Sequence, residues 1–217
     1  MKPRALPRSF FARDADVVAR DLRGRVLVHD HPTRGRLAAR VVETEAYFGP
    51  PGTNAHLLAR GTRLARRLHE QGDPAAHSFV GRTARNAAMY GEPGRWYVYL
   101  IYGMHECANV VTGPLAPPHE PQAVLLRAGE PREGIAPDAD LGGPARLVKR
   151  LGVSRKAHNG ADATRAPLFF ERGEPVPDAD VETTPRVGIL KAAELPLRYV
   201  LTAAPRPSRR RRSASSP

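Results

Sequence analysis

The stretch that most constrains how this chain can fold runs from Trp96 to Val111, aromatic and β-branched on both sides of Gly103. Such residues favour extended, packed backbone and Gly supplies the freedom a tight turn needs, so the pattern predicts a β-hairpin folded at Tyr102-Gly103-Met104. Alternation places Tyr97, Tyr99 and Ile101 on one face of the first strand and Val98, Leu100 and Tyr102 on the other, both apolar enough to be buried. Three of the chain's six tyrosines lie within six residues here, beside its only tryptophan. Rigid rings grouped near a turn suit stacking on flat ligands such as nucleobases. A core strand whose hydroxyls are satisfied by neighbours is the plainer alternative.

At 217 residues the chain is long enough for one good-sized core, and nothing forces a second domain. No apolar run approaches the ~20 residues of a membrane span, and Met1 to Arg4 lead into no apolar signal core, so a cytoplasmic protein is expected, nucleoid-associated if the cell is bacterial. The single Cys107 excludes an internal disulfide, and with eight scattered histidines it offers no zinc-finger spacing. His105-Glu106-Cys107-Ala108-Asn109 begins like a zinc-protease helix but has Asn where the second His must stand. Charge points to a partner: 34 Lys and Arg against 22 Asp and Glu give +12, with an isoelectric point near 10.7. A polyanion, nucleic acid first, is the expected ligand. Arg206 and Arg209 to Arg212 supply five of these charges in a tail, yet the remaining body is still +7.

Along the chain, 14–24 reads as a short amphipathic helix, and Arg25 to His29 and Leu37 to Tyr47 as paired strands joined by the turn at His31 to Gly35. Glu43 and Glu45 share one face of the second strand. Two acids on a strand face are usually solvated, but these end a strand between Val41-Val42 and Tyr47, just before a loop, where sites are built. A carboxylate beside an aromatic wall can act as a general base or stabilise positive charge on a sugar. Residues 51–72 are rich in Ala, Leu and Arg; Leu57, Leu64 and Leu68 could form one side of a basic helix broken near Gly61, a surface insertion. A polar loop from Asp73 to Asn86 follows. Ala123 to Gly129 reads as a buried strand whose Arg127 needs a partner or a site. Gly143 to Gly152 reads as a helix with Pro at its first turn, its amino end near Gly143 suited to a phosphate. Leu168 to Glu171, Arg186 to Leu190 and Leu197 to Leu201 are expected to be short strands. The tail from Pro205 has nothing to bury and should be disordered.

Several motifs, in order, give these residues a family resemblance. Val42-Glu-Thr-Glu-Ala-Tyr47, Gly81-Arg-Thr with Arg85-Asn86, Tyr97 to Met104 with Asn109, Val124-Leu-Leu-Arg-Ala128 with Glu130-Pro131, Gly143-Pro144 and Arg186-Val-Gly188 resemble the alkyladenine (methylpurine) DNA glycosylases. The resemblance implies an α+β fold: one compact mixed domain over residues 1–204 with a central antiparallel β-sheet, a β-hairpin wedge and surrounding helices. Residue by residue, it makes Glu45 the general base that activates water and Arg127 the arginine beside that water. Tyr47, His77 and Tyr99 become the walls holding a flipped base, Asn109 the residue that crowds the amino group of guanine, and Tyr102, with Met104, the wedge entering the duplex. Arg82 and Gly143 are assigned to the DNA backbone. The implied partner is double-stranded DNA containing damaged purines, bound by a monomer, with no metal or cofactor. No lysine matches a Schiff-base nucleophile, so strand cutting is not expected.

One departure concerns the pocket histidine. The loop after Tyr47 holds some twenty more residues than family members have, and it contains two candidates. His56 lies at the short-loop distance from Tyr47, whereas His77 is followed at the proper interval by Gly81-Arg-Thr and Arg85-Asn86, which favours His77. A nucleic-acid-binding protein of the same fold that lost the chemistry, and an unrelated carboxylate hydrolase of a small molecule, are the competing readings. Glu45 together with Arg127 favours the glycosylase over the first; net charge and Tyr102 count against the second.

Overall fold

The computed structural model describes residues 5–116, 119–174 and 176–204. Its longest feature is an antiparallel pair, β1 (Val26–His31) and β2 (Gly35–Tyr47), folded about the predicted turn so that Val26 faces Arg40 and His31 faces Gly35. The aromatic stretch forms the predicted hairpin, β3 (Trp96–Ile101) and β4 (His105–Thr112), whose register runs from Trp96 opposite Val110 to Ile101 opposite His105. With β5 (Gln122–Pro131), β6 (Leu168–Glu171), β7 (Val181–Thr184) and β8 (Arg198–Leu201) they make one eight-stranded antiparallel sheet. The order is β3-β4-β5-β2-β1-β6, with β8 paired to the end of β2 and β7 to β8. The fold is therefore α+β, with the antiparallel sheet at its centre.

Among the described residues five α-helices surround it: α1 (Arg8–Phe11), α2 (Ala15–Asp21), α3 (Arg63–Glu70), α4 (Pro144–Arg150) and α5 (Arg155–His158). Val18 and Ala19 of α2 and Leu147 and Val148 of α4 are buried with the apolar residues of β2, β4 and β5 in one core. Trp96 anchors the base of the hairpin there. Its ring stacks on Phe170 at 5.2 Å, and its Nε1–H donates to Leu168 O at 2.9 Å, so the indole is buried with its one polar group satisfied.

Four details depart from, or add to, what the sequence suggests. The hairpin is not buried on both faces: Trp96, Tyr97 and Val98 are, but Leu100 is at the surface and the tip projects, with Tyr102 81% and Met104 74% exposed. Arg186 to Leu190 is not a strand. The Arg186 side chain turns inward as its neighbours pass over the site, Gly188 has φ +81°, and the strand lies earlier, at β7. Residues 51–72 break at Gly61, where φ is +64°, between a 3-10 turn (Ala55–Arg60) and α3, but Leu57, Ala65 and Leu68 enter the main core. The arginines Arg60, Arg63 and Arg66 are at its surface, with Leu58 and Glu70. Finally, the β2–β5 register slips between Val41 and Glu43 and again between Glu43 and Thr44, leaving Val42 and Arg127 with no partner across the ladder. Irregularities of this kind re-aim side chains, and here one of them is the arginine of the site. The expected disorder from Pro205 onward lies outside the described residues.

Candidate functional site

The end of β2 carries the site. Glu43 and Glu45 are both fully buried, so the solvated reading of this strand face does not hold; Thr44, between them, points the other way and donates to Ala19 O at 2.7 Å. Burying two carboxylates costs several kcal/mol each unless opposite charges and donors replace water. Arg127 supplies part of this: its Nε donates to Glu43 Oε1 at 3.0 Å and its Nη1 to Glu45 Oε2 at 3.1 Å. Arg198, from β8, donates to Glu43 Oε1 at 2.6 Å. The Glu45 carboxylate has two further donors, Tyr47 OH to Oε2 at 2.9 Å and the backbone N–H of Val187 to Oε1 at 2.7 Å. Burial opposes the Arg127 charge, but Glu45 and Glu43 outweigh it and raise its pKa. Burial and the neighbouring Glu45 hold the Tyr47 phenol well above its usual range, so it stays a donor.

A second ion pair supports the first. Arg186 and Asp73, both with fully buried side chains, form a two-pronged bridge at 2.6 and 2.8 Å, the fork geometry that gives such pairs their strength. The Arg186 guanidinium lies over the Tyr47 ring, 4.5 Å from its centre. Asp73 also accepts from the backbone N–H groups of Phe48, at 3.1 Å, and Ala75, at 3.2 Å, and so ties the end of β2 to the segment leading to His77. That segment is closed off by Asn86, whose amide donates to the carbonyls of His77, at 2.8 Å, and Gly81, at 2.9 Å.

In front of this charged floor is a cavity of about 370 Å³, within the range of small-molecule clefts. Tyr47, His77, Tyr99, Tyr102, Asn109 and Arg127 all line it. Glu45 does not; it sits directly behind the wall, reached past its partners Tyr47, Arg127 and Val187, which do. The His77 ring meets Tyr99 edge-on at 4.5 Å, and its Nδ1 lies 2.8 Å from Tyr97 OH. Burial, helped by Arg85, lowers the His77 pKa, so the ring is neutral near pH 7. Burial pushes the Tyr97 phenol up to about 12 and the Cys107 thiol, despite its Tyr99 hydrogen bond, to about 11. Asn109 donates to Tyr97 O at 3.1 Å, which fixes its amide on the cavity wall.

The other assigned residues lie outside the cavity. The His56 ring lies against the carboxylates of Asp14 and Glu120 and does not line the cavity. Met104 stands across the turn from Tyr102, Arg82 is exposed, and Gly143 caps α4 beside the cavity-lining Pro144. Among the described residues, no group of three or more His, Cys, Asp or Glu side chains is placed to hold a metal, and no helix is long and apolar enough to cross a membrane. Sequence reasoning missed Asp73, Arg186, Arg198 and the Val187 N–H. The rule that flags Arg127, a charge in a buried strand, applies equally to Arg198 inside Leu197–Leu201.

The chain is similar to known proteins over nearly its whole length. The family model described as methylpurine-DNA glycosylase (MPG) matches residues 9–205. A protein from Anaeromyxobacter dehalogenans, provisionally named 3-methyladenine DNA glycosylase, is 43% identical over 208 residues, covering 94% of this chain and 85% of the relative. Proteins with the same provisional name from Carboxydothermus hydrogenoformans (39% over 207 residues, 90% and 94% covered) and Methanoculleus marisnigri (38% over 218 residues, 94% and 99% covered) are similar throughout.

Proposed function

The chain belongs to the methylpurine-DNA glycosylase family, and on that premise we propose that it is a monofunctional DNA glycosylase, flipping alkylated or deaminated purines out of duplex DNA and hydrolysing the N-glycosidic bond to leave an abasic site. The observation that carries this reading is the buried Glu45–Arg127 pair immediately behind a cavity walled by Tyr47, His77 and Tyr99. A base inside a duplex cannot be attacked at its sugar, so it must leave the stack at a cost of a few kcal/mol, least for a weakly paired base. In the cavity its faces meet aromatic rings. Electron-rich tyrosine faces attract a cationic, alkylated purine, and a neutral His77 does not repel it.

Water admitted among Tyr47, Arg127 and Val187 loses its proton to Glu45 as its oxygen bonds to the sugar carbon. The bond from that carbon to the base breaks, and its electrons leave with the base. The same carboxylate stabilises the oxocarbenium-like state, and Arg127 orients it. An alkylated purine already carries positive charge and leaves as a neutral molecule, while a neutral deaminated purine leaves as an anion that takes its proton from solvent, so one acid–base residue can suffice. Asn109, held by Tyr97 O, crowds the amino group that distinguishes guanine.

The hairpin tip supports the same reading. Tyr102 has φ +53°, a left-handed conformation that costs a non-glycine residue about 1–2 kcal/mol, and its ring, in open solvent, recovers little of that by packing. A wedge that fills the gap left by the flipped base, with Met104 beside it, gives the ring an occupation. Arg82 and the amino end of α4 at Gly143 hold the DNA backbone on either side. The protein acts as a monomer in the cytoplasm, on double-stranded DNA. The test is to incubate it with duplexes each carrying one defined purine lesion and then cleave abasic sites with alkali. Strand breaks at one or more lesions are expected; none at any alkylated purine would leave a DNA-binding protein without the chemistry.

A further inference from the structure

The arginine face of α3 has no role in that chemistry, and its electrostatics are unfavourable. Arg63, Arg66 and Arg67 stand within about one turn of each other with no acid in the first turn, so like charges repel, and Arg63 also opposes the positive end of the helix dipole. The one acid of the helix, Glu70, stands at its end. Arg67 is paired with Glu194, whereas Arg63 and Arg66 are exposed and make no ion pair among the described residues. The helix is nonetheless rigidly placed: Thr62 Oγ1 accepts from Ala65 N at 3.1 Å, and Ala65 and Leu68 are in the core. The three arginines, with Glu70 and Gln71 from the end of the helix, line a groove of about 570 Å³ closed on its far side by Leu195 and Pro196.

Two connections join this groove to the base cavity. α3 ends three residues before Asp73, whose carboxylate holds the arginine over Tyr47, so the contour from Arg66 to Asp73 is at most ~17 Å, or about five base-pair steps of duplex. On the other side, the loop that lines the cavity at Val187, Gly188 and Ile189 runs through the exposed Lys191 to Glu194 and Leu195 at the groove.

We propose that Arg63 and Arg66 form a phosphate-contact surface that grips duplex DNA a few base pairs from the flipped nucleotide, an inference that rests on the glycosylase reading for the position of the DNA. It is tested on the full chain by comparing the unchanged protein with the Arg63→Gln/Arg66→Gln double variant, measuring affinity against salt on undamaged duplex and on duplex with an abasic-site analogue. Each lost phosphate contact flattens the slope of log affinity against log salt by about 0.9, so a difference of up to ~1.8 is expected. Single-turnover base release at saturating protein should be unchanged. Arg63→Lys/Arg66→Lys should restore the slope, and trimming the duplex close to the lesion, first on one side and then on the other, should abolish the difference for one side only. Identical slopes for the glutamine variant and the unchanged protein would overturn the proposal, whether or not base release is seen. Failure of the unchanged protein to release any base would instead count against the glycosylase reading, since the slopes on undamaged duplex are read independently of it.

Discussion

The end of β2 and the tip of the β3–β4 hairpin face the same cavity and are built in opposite ways. At the first, Glu43, Glu45, Arg127 and Arg198 are nearly or wholly out of water, each held by partners from other strands. At the second, Tyr102 and Met104 project into solvent on a turn that carries positive φ at Tyr102 and Gly103. The contrast fits the two tasks proposed for these regions. Charges that act on a developing cation are strongest where water is excluded and nothing must reorganise. A wedge must be free of its own protein to enter another molecule.

The largest effect that sharpens this contrast is expected at Glu45. Glu45→Gln keeps the shape and removes the anion, and single-turnover base release should fall at least ~100-fold, the low end of what a positioned general base contributes. Glu43→Gln comes next and should act differently. Glu43 accepts from both Arg127 and Arg198 with no solvent contact, so its loss leaves buried guanidinium charge undercompensated, a class of change costing about 3–5 kcal/mol. Denaturant unfolding should show that loss; a variant as stable as the unchanged protein would mean that the floor is less tightly coupled than its geometry implies.

At the tip the order reverses. Tyr102→Asn places a residue tolerant of left-handed backbone in the turn, so thermal stability should be unchanged or slightly raised, while binding to abasic-site duplex weakens by about 5- to 150-fold, the ~1–3 kcal/mol of one lost stacking ring. An unfolded variant would make Tyr102 a core residue and erase the distinction. The smallest effect is acid sensitivity. Burial lowers the pKa of His29, His77 and His158, so below about pH 6.5 the unfolded chain binds protons that the folded chain does not, and stability falls as pH drops through that window. The melting temperature should therefore decrease from about pH 7 to pH 5.5, less so in His77→Gln; an increase would contradict the sign.

What the sequence made legible follows the same division. The hairpin and its turn are visible because aromatic and β-branched residues flank a single Gly, and helix α4 because Pro and Gly bracket it. Glu45 and Arg127 are legible as acids and bases out of place in apolar strands. The Arg186 loop was not, because Arg-Val-Gly-Ile-Leu carries a strand-like composition, and only the tertiary pairing with Asp73, 113 positions away in sequence, draws that arginine inward. Nor could alternation reveal the two slips between β2 and β5, since they depend on both strands at once. Spacing groups Leu57, Leu64 and Leu68 on one side of a broken helix, but Leu57 lies in the 3-10 turn before Gly61 and only Leu64 and Leu68 are on α3; what they cover is set by the fold.

One titration tests the separation of chemistry from recognition most directly. Glu45→Gln protein is added to a duplex carrying one alkylated purine, and bound DNA and released base are read in the same samples. The duplex should be bound as tightly as by the unchanged protein, or slightly more so with one negative charge gone, while the base stays attached. Release at the unchanged rate would contradict the role given to Glu45, and loss of binding by a folded variant would contradict the division between the buried floor and the exposed tip.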